Sequence, residues 1–183
     1  RVDRINSIID YIEQNRIGVD NTKKLYFMDE SNFNQLSLQD NTVVGPSGIE
    51  IFQEDFRTFI TESLTLIMLV DHEYNVVHQH LYHNKVNGPT TSNRIIEFLC
   101  EAEEKIHSAG PYPLFLDNAP THTCAFKKSS DLANWKPLWA APSTPETNLV
   151  EFFFRELKRK LRQDTSTIMG TLTGPEWFKW VNN

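Results

Sequence analysis

Apolar positions along the chain follow two periods, and the changes between them mark the elements. In RVDRINSIIDYIEQNRI, Val2, Ile5, Ile8, Ile9 and Ile12 fall at helical spacing, which predicts an amphipathic helix ending near Gly18. LYFM, residues 25–28, predicts a buried strand whose exit is Asp29. Residues 33–56 are mixed and contain the turn signal GPSG (45–48), so an irregular excursion or short strands are expected there. SLTLIMLV (63–70) and NVVHQHLY (75–82), with a turn at His72 to Asn75, form an antiparallel hairpin. After NGPTT (87–91), Ile95, Ile96, Leu99, Ala102 and Ile106 line one helix face, with Thr91 or Ser92 as N-cap and Gly110 as stop. PLFL (113–116) is a short buried strand ending at Asp117, a short helix is expected over 124–133, and KPLWAA (136–141) is a further strand. The loop PSTPET (142–147) leads into a helix from about Asn148 to Gln163, and the tail ends in one more helical turn after Pro175.

The predicted order is therefore helix, strand, hairpin, helix, strand, short helix, strand, long helix. That order describes an α/β domain with a sheet of mixed strand directions and helices on both faces. There is no internal repeat and no low-complexity tract.

Composition narrows the picture only slightly. The chain has 183 residues, enough for one domain with a real core, and 39% hydrophobic and 23% charged residues are ordinary for a globular protein. No apolar run approaches the roughly 18 residues of a membrane span. The chain starts at Arg1 with no signal-peptide pattern, so a fragment or processed product is expected. Cys100 and Cys124 lack metal-ligand spacing, and a buried Cys100 thiol in a reducing compartment is the expectation. The net charge of −6 argues against a nucleic-acid coat protein, yet Arg155, Lys158, Arg159, Lys160 and Arg162 face only Glu156 as a nearby acid.

The chemistry rests on three acids. Asp29 and Asp117 follow apolar runs, and Glu151 opens a charged amphipathic segment. Singly, Asp29 reads as a strand-end cap, Asp117 as a turn residue and Glu151 as a first-turn helix acid favoured by the macrodipole. Together they describe carboxylates converging on one point, costly to desolvate unless cations neutralise them. Oxygen ligands in that number suit Mg²⁺ or Mn²⁺ and metal-assisted phosphoryl transfer.

DES-x-F after a strand, DNAPTH after a second and P-x-x-N-x-x-E at a helix start resemble the mariner-like DDE/DDD transposase superfamily, in order and spacing, from about Lys24 to Arg162. The resemblance implies a single RNase H-like catalytic domain over 1–183 with a mixed five-stranded sheet, residues 1–20 leading in and 164–183 forming a C-terminal tail. It implies that Asp29, Asp117 and Glu151 are the catalytic and metal-binding triad, holding two Mg²⁺ or Mn²⁺ ions. The implied reaction is cleavage at transposon ends, followed by attack of the freed 3′-hydroxyl on target DNA. Partners would be DNA and further copies of the chain, as a homodimer or larger assembly, with no membrane. Localisation would be nuclear in a eukaryote, cytoplasmic or nucleoid in a bacterium. A DNA-binding domain that normally precedes such a core is expected to lie outside this chain. The rival, from another class, is a transposase-derived scaffold or binding module that has lost catalysis.

Around the triad, Asn118 is expected to orient the Asp117 loop, and Asn148 to cap the helix that presents Glu151. His122 either reaches a phosphate at the mouth of the site or caps a helix or turn. Glu30 points away from Asp29 by strand alternation and is given no ligand role. Arg155, Lys158, Arg159 and Arg162 would contact DNA phosphates, against the bland alternative of a solvated face. His72, His78, His80 and His83 read as surface or edge-strand residues. Trp135, Trp139, Trp177 and Trp180 read as core or interface residues. One position departs from the family pattern, where the usual S-P-x-x-N-P-x-E is S-T-P-E-T-N-L-V-E, with Leu149 in place of the second proline.

Overall fold

The computed structural model describes residues 2–17, 24–34, 63–141 and 148–165. Of the excursion expected over 33–56, Phe33 and Asn34 belong to a regular strand and the rest lies outside the described residues, as do the PSTPET loop and the C-terminal tail with Trp177 and Trp180.

Five strands, β1 (Tyr26–Asn34), β2 (Ser63–Asp71), β3 (Val76–His83), β4 (Tyr112–Leu116) and β5 (Trp135–Trp139), form one sheet in the order β3-β2-β1-β4-β5. β1, β2 and β3 pair antiparallel, whereas β1–β4 and β4–β5 pair parallel. The helices are α1 (Val2–Gln14), the single turn α2 (Asn84–Asn87), α3 (Ser92–Glu104), α4 (Pro120–Lys128) and α5 (Leu149–Thr165).

Strand alternation sends side chains to two cores. Met28, Ile67, Leu69, Leu114 and Leu116 meet Ile95, Phe98, Leu99 and Ala102 of α3 and Ala125 of α4. On the other face Phe33, Leu64, Leu66, Met68 and Val70 meet Val150 and Phe154 of α5. Beside them Phe115 and Leu138 pack with α1 through Ile8 and Ile12. Helices thus cover both faces, as the apolar periodicities predict.

The structure corrects several boundaries. β1 does not stop at Asp29 but runs on to Asn34, because β2 pairs with it through Asn34↔Ser63. Backbone pairing carries the polar stretch Asp29–Asn32, which apolar content alone does not mark as strand. α3 stops at Glu104 rather than near Gly110, and of the two candidate caps Thr91 accepts the Arg94 amide at 3.4 Å. α4 begins at Pro120, four residues before the expected start, with the proline in the first turn where its missing N–H costs nothing. His78 lies on the edge strand β3, as one of its two expected readings has it, but it is buried rather than at the surface. Its ring stacks on Phe98 at 4.7 Å, donates to Glu101 from Nε2 (3.1 Å) and accepts from Lys105 at Nδ1 (2.7 Å). Burial lowers its pKa, in keeping with that neutral tautomer. Cys100 is half-buried rather than fully enclosed, and both cysteines are free thiols.

Phe154 is 2% exposed and stands edge-on to Phe33 at 6.5 Å, so it anchors α5 to the sheet. Phe154→Ala should cost about 3–5 kcal/mol in a urea unfolding titration. A loss below about 1 kcal/mol would show that other contacts seat this helix.

Candidate active site

Asp29 and Asp117 come together because of sheet register. β1 pairs with β4 only at Tyr26↔Leu114 and Phe27↔Phe115. The same offset of 88 residues sets Asp29 level with Asp117, since 115 − 27 and 117 − 29 are equal. β4 has ended at Leu116 by then, while β1 continues beside β2. The two carboxylates thus stand where the sheet divides. This is the kind of place where α/β sheets bind ligands, beyond the carboxyl ends of parallel strands.

Asn148 ties the third element to this point. Its Oδ1 accepts from the Val150 amide (3.2 Å), capping α5, and its carbonyl accepts from the Glu151 amide (3.1 Å). Its Nδ2 donates to Asp29 Oδ2 (3.2 Å) and to the Met28 carbonyl (3.4 Å). The expected cap is therefore also a clamp between helix and strand. Glu151 lies exposed in the first turn of α5. Asn118, expected to orient the Asp117 loop, donates from Nδ2 to the Ala140 carbonyl at 2.7 Å and so joins the exits of β4 and β5.

The electrostatics differ sharply between the aspartates. Burial pushes the Asp29 carboxyl up to about 7, and the charges of Glu30, Glu151 and Asp117 add to the rise against a bond from the Glu30 amide. Asp29 thus feels the charges of both Asp117 and Glu151. Asp117 moves the other way. A hydrogen bond from His122 holds its carboxyl below the usual range, helped by the Ala119 amide. Among the described residues, no three His, Cys, Asp or Glu side chains are gathered closely enough to hold an ion as they stand.

His122 is not at the mouth of the site. It is 1% exposed, with Nδ1 2.7 Å from Asp117 Oδ1 and Nε2 2.6 Å from Glu30 Oε2. Both nitrogens are engaged, so neither of its expected roles, on a phosphate or as a cap, describes it. Burial opposes its charged form, but the bonds to Asp117 and Glu30 outweigh burial and raise its pKa to about 10. Glu30 is the residue that sequence reasoning leaves out. It does face away from Asp29, as alternation requires, yet it joins the site through His122. The signal for it was a histidine five residues beyond Asp117 with two nitrogens to satisfy.

The basic residues of α5 are partly engaged. Arg155 lies over the Phe152 ring at 5.1 Å, Lys158 over Phe33 at 5.3 Å, and Arg159 pairs with Glu156 at 2.9 Å. Arg162 lies within α5, and its side chain is outside the described residues.

Solved structures with the same fold include the Mos1 transposase paired-end complex with left transposon end (TM-score 0.62, 14% identity, 87% of this chain and 47% of that one). The Mos1 mariner paired-end complex with Mn matches at TM-score 0.62 and 13% identity, over 87% and 47% of the two chains. The Mos1 strand transfer complex matches at TM-score 0.65 and 16% identity, over 98% and 51%. The present chain spans about half the length of these structures, and the shared architecture is the RNase H-like fold. No curated protein matches. A family model described as DDE superfamily endonuclease matches residues 24–170, from β1 through α5 and well over half the sequence, and the chain belongs to that family.

Proposed function

We propose that this chain is the catalytic core of a mariner-like DDE transposase, cutting DNA at transposon ends and joining the freed 3′-hydroxyl to target DNA. One observation supports this above the rest: Asp29, on β1, stands level with Asp117 and within electrostatic reach of both Asp117 and Glu151, which belong to two other elements. Asp29, Asp117 and Glu151 would hold Mg²⁺ or Mn²⁺, two ions per site. Their donors are all hard carboxylate oxygens, which fit those ions, and a cation beside Asp29 would offset the cost of its burial. Metal-bound sites of this kind activate water or a sugar hydroxyl and neutralise charge on phosphate.

The protein's own groups would divide the remaining work. Asn148 would hold the Asp29 carboxylate and the start of α5 in one frame. Arg155, Lys158, Arg159 and Arg162 would meet DNA phosphates beside Glu151, giving position rather than sequence choice. DNA as partner is in keeping with the Mos1 complexes of the same fold, and the Mn complex among them favours a divalent ion here. A dimer or larger assembly on paired ends, and a nuclear location in a eukaryotic host, belong to the same proposal.

The silent scaffold remains the competing reading, because an ion would have to draw the three acids closer than they stand. Calorimetric titration with Mn²⁺ decides between the two. The enzyme reading expects saturable binding that Asp29→Ala or Asp117→Ala weakens, and Mn²⁺-dependent plasmid nicking that either variant lowers about a hundredfold or more. A flat wild-type titration with no nicking would leave the scaffold standing. Supplying DNA with free or blocked 3′-hydroxyl ends then separates strand transfer from cleavage alone.

The site should also cost stability. An acid whose folded pKa is raised from 3.8 to about 7 loses folding free energy as pH climbs through that interval, because the unfolded chain releases its proton first. In EDTA at pH 8, Asp29→Asn should therefore melt a few degrees above the wild type, about 2–4 °C for each kcal/mol recovered, while it loses Mn²⁺ binding. A lower melting temperature would mean that the Asp29 carboxylate is a net structural asset. For DNA binding, Arg155→Ala should weaken affinity evenly across sequences and reduce the salt slope by about 1. An unchanged slope would return Arg155 to the solvated face.

A further inference from the structure

We propose that Glu30 is a positioning residue for Asp117, acting through His122, and that this relay leaves Asp117 a single oxygen, Oδ2, to offer a cation. The inference rests on the reading of Asp117 as a cation-binding carboxylate. Three observations carry it. His122 is enclosed at 1% exposure and bonds two carboxylates from different strands, 2.6 Å to Glu30 Oε2 and 2.7 Å to Asp117 Oδ1. An imidazole pinned at both nitrogens cannot rotate without breaking one of the bonds.

Asp117 Oδ1 is doubly occupied, by His122 Nδ1 and by the Ala119 amide at 2.9 Å. Oδ2 has no hydrogen bond among the described residues, and the carboxyl as a whole is 55% exposed. The carboxylate is thus oriented with one oxygen inward and one outward.

Glu30 sits on the sheet face opposite Asp29, because its pairing partner Ile67 belongs to the α3 core while Met68, opposite Asp29, belongs to the α5 core. It cannot reach the position Asp29 occupies. It can reach the site only from behind, through the ring. Groups bonded to a metal ligand fix its orientation, and their loss commonly costs about 10–100-fold in metal affinity.

The test is Mn²⁺ affinity on the full chain without DNA, with near-ultraviolet circular dichroism to confirm folding. Glu30→Gln keeps an oxygen to accept from His122 and should bind Mn²⁺ within about threefold of wild type, whereas Glu30→Ala should bind about 10–100-fold more weakly. Should Glu30→Ala not fold, Glu30→Asp decides. It keeps the charge but falls short of His122 by one methylene, and a loss of about tenfold or more is expected. Wild-type affinity in a folded Glu30→Ala or Glu30→Asp protein, alongside a weakened Asp117→Ala, would overturn the relay and leave the metal site intact. Wild-type binding that Asp117→Ala does not change would bring down the metal reading itself, and the relay with it.

Discussion

The site depends on a parallel pairing that is only two residues long. Tyr26↔Leu114 and Phe27↔Phe115 are the only register pairs between β1 and β4, and they are held from the side by the Phe27 and Phe115 rings at 5.6 Å. Had β4 continued beside β1, Asp117 would lie inside the ladder, and α4 could not turn away at Pro120. Had it stopped earlier, the two aspartates would not be level. The apolar contacts on either face make this short junction tenable. Met28 and Leu114 are anchored under α3, and Val150 and Phe154 seat α5 against β2. Burial of such side chains contributes about 1.5–3 kcal/mol each, enough to offset carboxylates that repel one another nearby.

The same junction gives its two aspartates opposite environments. Asp29 is desolvated among other acids, and its carboxyl rises toward neutrality. Asp117 is exposed and has an imidazole partner, and its carboxyl falls. Carboxyls pushed apart by their surroundings in this way mark a candidate functional site. His122 supplies the local positive charge that keeps Glu30 and Asp117 compatible at close range, so the polar side of the site is balanced without reaching Asp29. What remains uncompensated is concentrated on Asp29.

Much of this was legible in the chain, and the failures have physical reasons. The apolar pattern marks all five strands and the long helices, because β2 and β4 are continuous apolar runs buried on both faces while α3 and α5 each bury one apolar stripe. It misplaced Asp29 at a strand exit because Asp29, Glu30, Ser31 and Asn32 are polar, and only the partner strand β2 shows that they are paired. It places the start of α4 four residues late, because only the fold shows Pro120 to stand in the first turn, where a proline is tolerated. Asn148 was found as a cap, since capping is local, but its bond to Asp29 spans 119 residues and no local rule contains it. Alternation correctly turns Glu30 away from Asp29 and so leaves it out of the acids at the site. That argument settles which face a side chain takes, not what another element brings to that face.

The entry to α5 shows how a departure from a family pattern can be absorbed. Proline at the first helical position presets φ for the helix and sacrifices an amide that has no partner there in any case. Leu149 gives up that restraint and instead packs, half-buried, against the α5 core. The direction of the helix is then held by Asn148, which bonds forward to Val150 and across to Asp29 and Met28. A cap that also grips the strand fixes both ends of the link from Asp29 to Glu151, whereas a ring at position 149 would stiffen only the helix side. Leucine is therefore compatible with the geometry of the acids, because the restraint it lacks is provided one residue earlier by an amide already committed to the site.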